Sequence, residues 1–157
     1  MKYEVMDGES VTNVIVANAD FMAVAYPAGN YREAATPVVP LRPELVVVGI
    51  TCDPAALGIN QVTHEVTCTE GSKVTANCEL RMNGAILPVT DTFRMPTRSS
   101  DGREEFVVAQ MSDGVVAATF NARASGLWSV TESGINERAA AGHEMKFSGV
   151  TVFVVQS

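Results

Sequence analysis

Between Lys73 and Met82 apolar and polar side chains alternate without a break. Val74, Ala76, Cys78, Leu80 and Met82 fall on one side, and Thr75, Asn77, Glu79 and Arg81 on the other. A period of two is that of a β-strand with one face in a core and the other in water. Asn83-Gly84 follows directly and predicts a type I′ turn, because both central residues of that turn need positive φ. Ala85–Val89 is then the returning strand. Short β-rich runs separated by turn residues continue from Glu44 to Ser157. Glu44–Thr51 predicts a first strand and Gln61–Thr69 a second, closed by Glu70-Gly71-Ser72. Glu105–Met111 follows Ser100-Asp101-Gly102 and is linked by Ser112-Asp113-Gly114 to Val115–Asn121. Leu127–Thr131 and Phe147–Val155 complete the set, the last apolar on both faces and therefore expected in the middle of a sheet. Cys52–Gly58 predicts one capped helical turn, with Asp53 as N-cap and Pro54 at its first position. Asn136–Ala141 predicts a short helix ended by Gly142.

Seven or eight short strands at this spacing, with no alternation of strands and long helices, predict an all-β fold: an immunoglobulin-like antiparallel β-sandwich. The Cys…Trp…Cys framework of antibody domains is missing, since Trp128 follows all three cysteines.

Before the sandwich the pattern differs. Lys2–Met6 and the β-branched run Val11–Ala17 flank Asp7-Gly8, which predicts a hairpin. Asn18 has the chemistry of an N-cap, and Ala19–Tyr26 can make two helical turns with Phe21, Val24 and Ala25 on one face. Pro27 stops that helix, Ala28-Gly29-Asn30 turns the chain, and Tyr31–Ala35 can add a third strand. Pro37, Pro40 and Pro43 then interrupt the chain. Proline fixes φ and removes a donor, so this stretch reads as a stiff, extended connector. The predicted organisation is a hairpin–helix–strand module over residues 1–35, a linker over 36–43 and the sandwich over 44–157. A module so small is expected to dock on a neighbour.

Composition narrows the function classes. The chain has 157 residues, 46% hydrophobic and only 18% charged, with a net charge of −7. So few charges leave much neutral surface, which suggests an oligomer or a subunit of an assembly. An acidic chain without a cluster of Lys or Arg is repelled by phosphate backbones, so nucleic acid is not an expected partner. The longest apolar runs, Leu45–Ile50 and Val150–Val155, are too short for membrane insertion. The residues after Met1 lack the apolar core of a secretory signal, which predicts synthesis and folding in a cytoplasm. Cys52, Cys68 and Cys78 are then expected as reduced, buried small hydrophobes.

No catalytic, cofactor-binding or metal-binding set emerges. His64-Glu65 and His143-Glu144 lack the close spacing of a zinc site, and neighbours on a strand point to opposite faces. A Gly-x-Ser-x-Gly elbow and a phosphate-cradling glycine loop are both missing. Glu104-Glu105 sits beside a turn, as a solvated strand end would. Asp91, Asp101 and Asp113 lie in loops where calcium could be held, but without the order of an EF-hand; turn chemistry accounts for Asp101 and Asp113. The candidate partner-binding residues are Tyr3, Val5, Phe21, Tyr26 and Tyr31 of the first module. The four aromatics among them can equally form that module's own core.

The opening Tyr3-Glu4-Val5-Met6-Asp7-Gly8, followed by Val11–Ala17, Asn18-Ala19-Asp20-Phe21 and Tyr26-Pro27-Ala28-Gly29-Asn30-Tyr31, resembles the start of small proteins from tail modules of tailed bacteriophages. The likeness covers about the first 35 residues. The rest is similar in style to the immunoglobulin-like domains on phage tails, tail tips and capsids. The resemblance implies a non-enzymatic virion protein of the tail, tail tip or fibre, made in the host bacterial cytoplasm. Its expected partners are other phage structural proteins, further copies of itself and the host cell surface. An assembly chaperone for a tail fibre and a host glycan-binding module are the alternatives.

Overall fold

The structure, a computed structural model, describes residues 1–35 and 41–157. The chain separates into two compact units that part between Val39 and Pro40. Pro37 and Pro40 of the expected linker lie outside the described residues.

The first unit is the predicted hairpin–helix–strand module. Strands β1 (Lys2–Asp7), β2 (Ser10–Val16) and β3 (Tyr31–Glu33) form an antiparallel sheet in the order β2-β1-β3. Gly8 takes φ 61° in the hairpin turn. Helix α1 (Ala19–Ala25) begins where expected: the Asn18 side chain accepts the backbone N–H of Phe21 at 2.8 Å. Tyr3 and Met22 are buried, and the rings of Tyr3 and Tyr31 meet edge to face at 5.8 Å.

The second unit is all-β and sandwich-like. Its strands are β4 (Glu44–Asp53), β5 (Gly58–Asn60), β6 (Glu65–Thr69), β7 (Lys73–Met82), β8 (Ala85–Ile86), β9 (Asp91–Ser99), β10 (Glu104–Ser112), β11 (Val115–Asn121), β12 (Gly126–Val130), β13 (Lys146–Phe147) and β14 (Val150–Val155). They follow one hydrogen-bonded path, β13-β4-β7-β11-β10-β9-β12-β14-β6-β5, with β8 on the end of β7. All pairings are antiparallel except β13 with β4 and β14 with β6. The path folds over on itself. Phe120 of β11 and Trp128 of β12 are three ladder steps apart, about 14 Å in a flat sheet, yet their ring centroids lie 5.5 Å apart. Strands from both ends of the path feed one core, with Leu45, Val66, Cys78, Val116 and Trp128 among its buried residues. The two ends are tied together by Gln61, whose amide donates to the Ile50 carbonyl at 2.9 Å and accepts the Ile50 N–H at 3.0 Å.

Several expectations need correction. Cys52 and Asp53 do not start a helical turn: β4 continues to Asp53, which pairs with Lys73, so its backbone belongs to the ladder. Gln61–Thr69 is not one strand. Asn60 accepts the N–H groups of Val62 and Thr63, which turns the chain before β6. The helix expected over Asn136–Ala141 lies earlier, as α2 (Glu132–Asn136), because Thr131 caps it by accepting the Gly134 N–H at 3.1 Å. Phe147–Val155 is split at Gly149, which has φ 88°. Its main part, β14, is central as expected, between β12 and β6. Strand β9 was not foreseen at all. It contains Pro96, and proline is disfavoured in a central strand. Here β12 pairs with β9 only at Arg98 and Ser99, so the missing N–H falls beyond the end of that ladder.

Candidate functional site

The most unusual surface of the chain is on its first unit. Strand β2 has β1 on one side and, among the described residues, no strand on the other, so its outer backbone groups form an open edge. Ser10–Val16 carries no charged side chain, and every residue but Ile15 is exposed. Natural edges are usually guarded by lysines, prolines or bulges. A bulge does fall on β2, at Thr12, where Val5 pairs with Asn13 and Met6 with Val11, but the strand carries no lysine, no proline and no other charge. Val14 is 54% exposed and Val16 74%.

The helix adds to this. Phe21, Val24 and Ala25 do share a face, but that face points to water: Phe21 is 53% exposed and Val24 90%. The helix packs on its sheet through Met22 instead, which is completely buried. An exposed apolar stripe on a seven-residue helix is, like the exposed valines of β2, surface of the kind that association covers.

The five sequence-derived candidates therefore divide. Tyr3 belongs to the module's own core, with its hydroxyl 3.6 Å from the Met1 sulfur. Tyr31 packs on Tyr3 and is half-buried, as are Val5 and Tyr26. Phe21 alone among them is presented to solvent. Val11, Val14, Val16 and Val24, also exposed, were not among the candidates. The available signal was that Val11–Ala17 is apolar on both faces, a pattern that reads as a buried strand but here lies on an edge.

The groups that carry chemistry in the second unit are dispersed. Ser148 Oγ and His64 Nδ1 lie 3.1 Å apart on the surface. A nucleophile and base act together when a third group orients the base, and the described residues place none on the other ring nitrogen. His143 is exposed in the loop after α2. Among the described residues no cluster of His, Cys, Asp and Glu is arranged to hold a metal. Asp91, Asp101 and Asp113 do not converge. Asp91 and Asp113 lie at one end of β9 and β10, where Asp91 pairs with Met111. Asp101 lies beyond the other end, held by Arg103 and Ser99. The Arg103 guanidinium lowers the Asp101 carboxyl to about 2. Arg98 bonds both Glu137 and Glu104 and thereby pins the end of α2 to β9 and β10, which raises its own pKa further. Burial pushes the Cys78 thiol up to about 12 and, with help from neighbouring Cys52, the Cys68 thiol to about 11.

No family model, curated protein or solved structure matches the chain.

Proposed function

We propose that this chain is a non-enzymatic structural component of a tailed-phage virion, in the tail, tail tip or fibre region. It attaches through its first module and presents the immunoglobulin-like sandwich. The observation that carries the reading is the open, uncharged edge of β2 with its exposed valines, in a module that also turns Phe21 and Val24 outward. An open edge pairs readily with a strand from another chain, where main-chain hydrogen bonds supply affinity and alternate side chains supply specificity. The opening residues, with their likeness to phage tail proteins, support the virion setting. In this reading the work is mechanical, and the partners are neighbouring virion proteins and further copies of the chain.

The test is deletion of residues 1–35 with particles assembled in the host. The truncated protein is expected to be absent from purified particles. Incorporation at the normal copy number would refute attachment through this module. Full-length protein that is present in the lysate but absent from purified particles points instead to the assembly chaperone.

A further inference from the structure

The ladder between β10 and β11 stops short. The two strands pair from Ser112–Val115 to Ala109–Ala118 and no further, although β10 begins at Glu104 and β11 ends at Asn121. Each unpaired half stays in the sheet through its other neighbour. Glu104–Val108 remains on β9, and Thr119–Asn121 remains on β7. The strands therefore splay, and an opening of about 240 Å³ lies between them. Glu105–Val107 form one lip, Thr119–Asn121 the other, and Arg123 stands at the rim.

The backbone on both lips is oriented by the hairpin at the far end. Asp113 and Gly114 have φ 50° and 79°, the signature of a two-residue type I′ turn, so Ser112 and Val115 are a hydrogen-bonded pair. Alternation along the strands then turns the N–H and C=O of Phe106 and Asn121, and the C=O of Thr119, toward the opening, just past the last pair, Ala109 with Ala118. The backbone N–H of Arg123 already donates to the Asn121 carbonyl at 2.9 Å.

The side chains around this opening are chemically mixed. Glu105 only accepts hydrogen bonds, Arg123 only donates, and Asn121 does both. Among the described residues neither Glu105 nor Arg123 is in an ion pair. Phe106, 42% exposed, also lines the crevice under α2, where the Arg138 guanidinium lies 5.6 Å from the ring centroid. The Phe106 side chain thus borders both spaces.

This environment discriminates between ligand classes. A hydrocarbon would leave the facing amides without partners. An anion would meet Glu105 and a cation would meet Arg123. A neutral ring bearing several hydroxyls matches donors, acceptors and an aromatic wall together, and the volume suits one such ring rather than a ligand of drug size, for which about 300 Å³ is a lower bound. We propose that the opening between β10 and β11 binds a single hexopyranose unit. A protein that never enters a particle would bind sugar here equally well, so this site and the attachment module stand or fall separately.

The test is a titration of the uniformly ¹⁵N-labelled full chain with glucose, galactose, mannose and N-acetylglucosamine, each alone, to millimolar concentrations. At least one is expected to shift the amide signals of Phe106 and Asn121 saturably. Asn121→Ala and Arg123→Ala, whose folding the dispersion of the same spectra reports, are each expected to weaken that binding about tenfold. Glu105→Gln keeps the shape of the lip and serves where either alanine variant does not fold. No saturable shift with any of the four sugars overturns the proposal. So do saturable shifts that persist unchanged in the variants, because they place the sugar elsewhere.

Discussion

The indole of Trp128 sits 5.5 Å from the phenyl ring of Phe120 while its N–H donates to the Ala124 carbonyl at 3.0 Å. One side chain thus joins two strands that are not hydrogen-bonded neighbours and anchors the turn between them. Arg103 covers the indole from outside, its guanidinium 5.0 Å from the ring. Replacing Phe120 with alanine should cost about 4 kcal/mol of unfolding free energy. Guanidinium unfolding followed by the fluorescence of Trp128, the single tryptophan, measures it. A loss below about 1 kcal/mol, the level of an ordinary surface change, would mean that the folded-over core is wrong.

Two turn glycines with similar backbone conformations should respond differently to a methyl group. Gly84 has φ 82° and open space where a Cβ would be; Gly114 has φ 79°, and its Cβ would overlap the Leu87 carbonyl oxygen. Gly84→Ala is therefore expected to cost about 1 kcal/mol, for the left-handed conformation alone. Gly114→Ala adds overpacking against backbone and should cost about 3 kcal/mol. Thermal melts of the two variants check the order.

Asp101 links the turn after β9 to acid stability. Its carboxyl is held at about 2, below the ordinary 3.8, chiefly by Arg103 and then by Ser99. A depressed folded-state value means that the contribution is complete above the ordinary value and lost as pH falls from about 4 toward about 2. The group is exposed, so the effect should be small. Melting temperatures of wild type and Asp101→Asn should differ at pH 6 and converge near pH 2. Parallel curves across the range would mean that the Arg103 contact does not form.

The three cysteines should label in order of access. Cys52 is partly exposed, whereas Cys68 and Cys78 are buried with raised pKa values. Brief alkylation of native protein at neutral pH should modify Cys52 first. The other two should react at a useful rate only after denaturation, as peptide mass spectrometry would show. Equal labelling of Cys78 in the native state would contradict the packing of β7 against the core.

Local chemistry explains which parts of this fold are legible in the chain. Strand β7 follows from period-two alternation, and the Asn83-Gly84 turn and the start of β11 after Asp113-Gly114 from residues that accept positive φ; all form where expected. Asn18 marks the start of α1 because its side chain accepts the Phe21 N–H as an N-cap. Tertiary pairing decides the rest. Strand β9 is held by β10 despite Pro96, and β4 extends through Asp53 because Lys73 is there to pair with it. The candidate surface was legible in type but not in detail. The small aromatic-rich module was apparent, yet only the folded sheet reveals that Tyr3 is spent on the core while Val14 and Phe21 face water. The splay between β10 and β11 leaves no trace in residue pattern, since both strands keep alternating in burial through the point where their ladder ends.

The most direct measurement is particle incorporation of the double variant Val14→Asp/Phe21→Asp. Both positions are exposed, so folding stability should change by no more than about 1 kcal/mol in total. Supplied in place of wild type during infection, the folded variant is expected to be missing from purified particles when its tryptic peptides are quantified. Its presence at the wild-type copy number would contradict attachment through the β2 edge and the outward face of α1.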